Sequence, residues 1–198
     1  MGDTPPFDTT IPTLGPCRVE NPLPYCHHID DSAKMPLYLS GDIIDDAVAN
    51  TVCEFEEAGP RKDIYFDPPK TKCAIVTCGG LCPGINDVIR AIVMSAHHNY
   101  HVSGTFGIRY GLQGFIPKFK HDIMELTPES VSEIHEFGGT VLSSSRGPQP
   151  PEEIVDALER MNISVLFMIG GDGTMKAADF VTREVLRRNL KIAVVGIP

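Results

Sequence analysis

The chain has 198 residues, 42% apolar and 22% charged, enough apolar material for one globular domain with a substantial core. Its net charge of −9 excludes a surface built to coat nucleic acid, whose affinity comes mainly from Lys and Arg on phosphates. No apolar run approaches the ~20 residues of a membrane helix, and the start, MGDTPPFDTTIPTLGP, lacks the basic and apolar regions of a signal peptide. A cytoplasmic chain without a membrane partner is the expectation.

Residues 1 to about 70 carry Pro5, Pro6, Pro12, Pro16, Pro22, Pro24, Pro36, Pro60, Pro68 and Pro69 with little periodicity, which predicts an irregular proline-rich arm. Within it, Ile43, Ile44, Val48 and Val52 share one side of a short helix predicted over Asp42–Phe55. From residue 71 the texture becomes α/β, with short β-branched runs alternating with amphipathic stretches. The pattern predicts strands over Lys72–Thr77, His101–Gly107, Ser164–Ile169 and Lys191–Ile197. Helices are predicted over Pro83–Ala96, 128–137, Pro151–Met161 and Thr174–Arg188. Thr127 reads as an N-cap for the second, with Pro128 at its first position and Glu129 near the positive end of its dipole. The resulting sheet is mostly parallel with both faces covered, and such a sheet binds ligands beyond the carboxyl ends of its strands.

Six cysteines, Cys17, Cys26, Cys53, Cys73, Cys78 and Cys82, form no disulfide framework in a chain of this type, and Cys73 and Cys78 suit buried strand positions. The spacing of Cys78 and Cys82 against His97, His98 and His101 fits no structural zinc pattern.

Four clusters carry chemistry. Cys78-Gly79-Gly80-Leu81-Cys82-Pro83-Gly84-Ile85-Asn86 joins a strand to a helix, as either a tight structural turn or a phosphate turn whose backbone approaches an anion. It is neither GxGxxG nor GxxxxGK[ST]. Ile169-Gly170-Gly171-Asp172-Gly173-Thr174 repeats the device with a carboxylate; Asp172 either caps the helix or sits beside phosphate oxygens where Mg²⁺ bridges the two. In Leu142-Ser143-Ser144-Ser145-Arg146-Gly147-Pro148, Arg146 is either a solvated loop residue or a partner for phosphate or a base, with room left by Gly147. In Gly107-Ile108-Arg109-Tyr110-Gly111-Leu112-Gln113-Gly114-Phe115, Tyr110 is either a packed core residue or a platform for adenine.

Taken in order, TCGGLCPGINDVIRAIV, YGLQGF, SSSRGP and IGGDGT resemble the phosphofructokinase family, specifically its plant-like and kinetoplastid-like branch, over about residues 72–198. The arm is similar in character to N-terminal extensions of that branch. The resemblance implies a three-layer Rossmann-like α/β domain over 71–198 and a glycolytic activity, transfer of the γ-phosphoryl of Mg·ATP to the 1-hydroxyl of fructose 6-phosphate. It places Gly80 at the nucleotide phosphates, Arg146 and Gly147 at the nucleotide's border, Gly171, Asp172, Gly173 and Thr174 around its phosphates, and Mg²⁺ on Asp172. Family members with glycine after that aspartate use ATP, whereas a second aspartate there accompanies pyrophosphate, so Gly173 implies ATP. Ser143 departs from the small residue usual between Leu and Ser in this loop.

The family continues past the VVGIP strand with a TIDND segment supplying the catalytic base, and that strand's proline is Pro198 here. The resemblance therefore puts the base beyond Pro198. No base and no sugar-phosphate contact is expected within residues 1–198, and this chain alone is expected to be inactive. A homo-oligomer is implied for full-length members. The cytosol is the default compartment, with a peroxisome-like one also compatible. Lipid and NAD kinases share a GGDGT turn, and a catalytically inactive nucleotide-binding fragment or subunit suits the stated length; GGLCPGIN and SSSRGP favour the first reading over the kinases.

Overall fold

A computed structural model describes residues 9–23, 27–36 and 54–198. The helix expected over Asp42–Phe55 lies outside the described residues except for Glu54 and Phe55, which belong to a strand. The chain divides into two compact units, 1–65 and 66–198.

The first unit holds two small antiparallel ribbons, β1 (Val19–Glu20) with β4 (Asp63–Ile64), and β2 (Lys34–Pro36) with β3 (Glu54–Glu56). Arg61 ties its loops together, donating to the carbonyls of Asp30 at 3.1 Å and Glu57 at 2.7 Å.

The second unit is a five-stranded sheet in the order β7-β6-β5-β8-β9. Its strands are β5 (Lys72–Thr77), β6 (Gly104–Ile108), β7 (Ile123–Glu125), β8 (Val165–Ile169) and β9 (Ala193–Ile197). All adjacent pairs are parallel except β6 with β7, so the predicted α/β architecture holds, with one short antiparallel edge that the sequence pattern did not announce. Strand β5 alternates: Ala74 and Val76 face one apolar layer, Ile75 the other, and none of the three is exposed. Double burial explains why this strand reads as a continuous apolar run.

Helix α1 (Ile85–Met94) packs on one face through Ile85, Ile89 and Val93 and continues into one wider turn, Ser95–Asn99. Helices α2 (Pro151–Met161) and α3 (Asp172–Arg187) cover the other face, completing three layers. In α2, proline at the first position and Glu152 and Glu153 in the first turn favour initiation, while Asn162 closes the end with φ +55°. Ile154, Val155 and Leu158 are at most 1% exposed, and each contributes about 1.5–3 kcal/mol of burial. Arg188 clamps the two helices together. Its Nη1 pairs with Asp156 at 2.5 Å and Glu159 at 2.9 Å, and its Nε with Glu184 at 2.6 Å, while Arg187 also grips Glu184.

The expected helix over 128–137 does not form. Thr127 does cap as anticipated, accepting from the Ser130 N–H at 3.2 Å, but only a short 3₁₀ turn, Ile134–Glu136, follows. Val131 and Ile134 are buried against α1, and Gly138 and Gly139 follow at once, so the segment follows the core rather than extending a helix. Elsewhere boundaries shift by a few residues; α3 starts two residues earlier than expected, and β6 and β9 start later. No described helix is long and apolar enough to cross a membrane.

Candidate nucleotide site

The chain steps from β5 outward to β6 and later from β8 outward to β9, in opposite directions, so the sheet's topological switch lies between the adjacent strands β5 and β8. At such a switch the loops leaving the two carboxyl ends diverge and open a crevice. Thr77 and Ile169 are register partners, which brings the exits 78–84 and 170–173 side by side.

Hydrogen bonds sew these exits together. The Cys78 N–H donates to the Ile169 carbonyl at 2.9 Å, while the Gly170 N–H ties the second exit to β9 through the Ile197 carbonyl at 3.0 Å. A third loop, 142–148, is stitched to the first: the Gly79 N–H donates to the Ser145 carbonyl at 3.3 Å, and the Ser144 hydroxyl to the Gly79 carbonyl at 2.8 Å. Thr77 Oγ1 donates to the Ser143 carbonyl at 2.8 Å. Ser143 itself is left-handed, with φ +59°, a conformation that favours glycine. The sequence departure noted there is thus a backbone matter.

The three loops enclose a cavity of about 480 Å³, bordered by Gly80, Arg146, Gly147, Gly171, Asp172, Gly173 and Thr174. Its glycines sort into two kinds. At Gly170 an added Cβ would stand under 3.0 Å from the Cys78 carbonyl oxygen, so close packing of the two exits demands glycine. At Gly80, Gly171 and Gly173 a Cβ would meet nothing within 4 Å among the described residues, and none of the three has a positive φ. Neither packing nor conformation asks for glycine at those positions, and what they share is an edge of the cavity.

Asp172 is the first residue of α3, with Gly171 at the N-cap position, and its carboxylate makes no hydrogen bond or ion pair among the described residues. The capping alternative is thereby removed. The first amides of a helix have no intrahelical acceptor and carry partial positive charge, so this end of α3 suits an anion. Thr174 is 5% exposed, and its Oγ1 donates to the Cys78 carbonyl at 3.4 Å, bracing the helix start against the first exit.

Pro198, the residue beyond which the catalytic base is expected, directly follows β9; it is exposed and does not line this cavity. Tyr110 is not brought to the cavity either. Its ring stacks on His121 with centroids 4.3 Å apart. Leu112, Lys176, Ala177 and Phe180 also border the cavity and were not anticipated. Lys176 and Phe180 follow Asp172 at intervals of four on α3, a spacing that puts them on one helical face and that the sequence does carry. Burial pushes the Cys78 thiol up to about 12, so it meets the cavity as a neutral group.

The Phosphofructokinase family profile matches residues 72–198. The chain belongs to the phosphofructokinase family. An ATP-dependent 6-phosphofructokinase of Borreliella burgdorferi is 45% identical over 204 residues, covering 97% of this chain and 44% of that protein. One from Trypanosoma cruzi is 47% identical over 152 residues, covering 77% of this chain and 31% of its own length. The chain therefore spans less than half the length of these phosphofructokinase relatives. Among solved structures, a pyrophosphate-dependent phosphofructokinase of Marinobacter aquaeolei superposes with TM-score 0.58 at 17% identity, over 65% of this chain and 33% of that one. That likeness concerns the phosphofructokinase fold. Family membership sets aside the lipid and NAD kinase alternatives.

Proposed function

We propose that this chain carries the nucleotide-binding part of an ATP-dependent 6-phosphofructokinase, the full protein moving the γ-phosphoryl of Mg·ATP to the 1-hydroxyl of fructose 6-phosphate in glycolysis. The observation carrying the reading is the set of glycines, Gly80, Gly171 and Gly173, that border one cavity with neither a packing nor a conformational reason to be glycine. Space kept free of side chains beside a helix start is what phosphate oxygens require.

In this reading Gly80 and the Gly171–Thr174 turn hold the phosphates, and Arg146 and Gly147 border the nucleotide. Asp172 holds Mg²⁺. One unpaired carboxylate fits that ion's habits, and when bound the ion would supply neutralisation of charge on the transferring group. A side chain with a carboxylate at Gly173 would crowd and repel the α-phosphate, which favours ATP over pyrophosphate. Residues 1–70 act as an arm and 71–198 as the nucleotide-binding domain; no catalytic base is assigned to either, the base being supplied by the full protein beyond Pro198. The full protein acts in the cytoplasm as a homo-oligomer, without nucleic acid.

Calorimetry with Mg·ATP tests the site directly. Saturable, Mg²⁺-dependent binding by wild type, lost in Asp172→Ala with the fold retained, supports the assignment. Absence of binding, or an Asp172→Ala variant that binds Mg·ATP as wild type does, overturns it. A full-length protein carrying Gly173→Asp should lose ATP-driven more than pyrophosphate-driven turnover with fructose 6-phosphate.

A further inference from the structure

A second cavity, of about 400 Å³, is walled by Phe115, Ile116 and Ile123 and by Lys120, His121 and Arg160. It lies between the β6–β7 connection and the last turn of α2, and shares no lining residue with the cavity at the glycine turns. In a chain with 26 Asp and Glu against 17 Lys and Arg, its wall holds Lys120, Arg160 and a histidine, His121, and no carboxylate. None of the three makes an ion pair among the described residues, and no carboxylate on the wall offers them one. Asp122, next in sequence to His121, is neither on the wall nor paired with them. Lys120 and Arg160, gathered without a counter-charge, repel one another, an arrangement that an arriving anion relieves.

His121 supplies a second, independent sign. Its ring is held between Tyr110, at 4.3 Å, and Phe119, at 6.0 Å and 9° from parallel, while the Arg109 guanidinium packs over Tyr110 at 5.3 Å. Yet its Nε2 is buried and has no hydrogen-bond partner among the described residues. A buried polar atom left unpaired forfeits a hydrogen bond it had in water, which a water or a ligand group entering beside it restores.

We infer that this cavity is a binding site for a small phosphate monoester. The phosphoryl oxygens are taken by Arg160, whose planar fork matches them, together with Lys120 and His121. The carbon body lies against Ile123, the exposed member of the apolar wall, above buried Phe115 and Ile116. The volume suits a small metabolite. This inference does not rest on the nucleotide reading.

The test is a titration of the protein with inorganic phosphate, then with glycerol phosphate, in the presence of saturating Mg·ATP. The His121 imidazole resonances, assigned by their loss in His121→Gln, report the location, and calorimetry reports the affinity. The expected result is a saturable His121 shift that persists with Mg·ATP bound, tighter binding of glycerol phosphate than of inorganic phosphate, and about tenfold weaker binding in both Lys120→Gln and Arg160→Gln. Both substituted side chains are exposed, so the variants should unfold at the wild-type temperature, and Arg160→Lys should recover part of the loss. No saturable shift, a shift abolished by Mg·ATP, or equal affinity in wild type and both variants overturns the proposal. If wild type fails to bind Mg·ATP while the His121 shift survives, the nucleotide reading falls and this one stands.

Discussion

Two glycines three residues apart, Gly170 and Gly173, should respond to alanine with opposite signs. At Gly170 the new methyl would press on the Cys78 carbonyl oxygen and on Thr174 Oγ1, both well under 3.0 Å, and would stand 3.1 Å from Thr174 Cβ. Neither neighbour can retreat cheaply. The Cys78 amide is bonded to Ile169 at 2.9 Å, and Thr174 is anchored in the first turn of α3. Forcing apart two hydrogen-bonded strand exits costs about 3–5 kcal/mol, a large share of the ~5–15 kcal/mol by which a domain is stable. At Gly173 the methyl meets nothing within 4 Å and the residue is helical, so alanine is neutral or stabilises by up to about 1 kcal/mol. Thermal unfolding with and without Mg·ATP reads both effects. Gly170→Ala should melt far below wild type, and Gly173→Ala at or slightly above it, with the Mg·ATP-induced rise in melting temperature reduced only because the methyl occupies the ligand's space. A Gly170→Ala protein as stable as wild type would refute the packing argument; a Gly173→Ala protein with full Mg·ATP stabilisation would show that the open space is not used by the nucleotide.

Ser143→Gly should stabilise the protein by about 1 kcal/mol in denaturant unfolding, because φ +59° strains any residue with a Cβ and no hydrogen bond from the Ser143 hydroxyl to a described residue opposes the change; an unchanged midpoint would count against that strain. Glu184, bonded first to Arg187 and also to Arg188, has its carboxyl lowered from 4.5 to about 2. A depressed carboxyl stabilises the fold fully above its unfolded value, and the stabilisation is lost as pH falls towards the folded one. The stability gap between wild type and Glu184→Gln should therefore be constant above about pH 4.5 and shrink towards pH 2, and a pH-independent gap would contradict the ion-pair account. Burial holds Cys73 at about 11 and Cys78 at about 12, so at pH 8 a thiol reagent should label the exposed Cys17 and Cys82 quickly and the buried pair only on unfolding; rapid native labelling of Cys78 would refute that protection.

What could be read from the sequence was what depends on local pattern. The runs 72–77 and 164–169 are apolar throughout because both faces of β5 and β8 are covered, and of the glycines beyond them Gly170 is required because no Cβ fits where the two strand exits meet. The same logic failed at 128–137, where the capping signal at Thr127 was real but the burial of Val131 and Ile134 decided the path. Strand β7 has three residues and pairs only through its neighbour β6, so no periodicity exists to find. Tyr110 looked like a platform beside a glycine, yet its ring partner is eleven positions along, in a stretch of mixed polar residues that announces nothing by itself. Conversely, Lys176 and Phe180 were legible in principle, one and two helical turns beyond Asp172, once α3 was known to begin at the aspartate rather than at Thr174.

Strand β9 ends the sheet order beyond β8, and among the described residues nothing continues its ladder on the far side. Among the described residues the outer amide and carbonyl groups of this β-branched segment meet no strand, and Val195 is partly open to solvent, the kind of edge along which an extended peptide can pair. A lysine or proline introduced there would blunt such pairing without touching the crevice at the opposite side of β8.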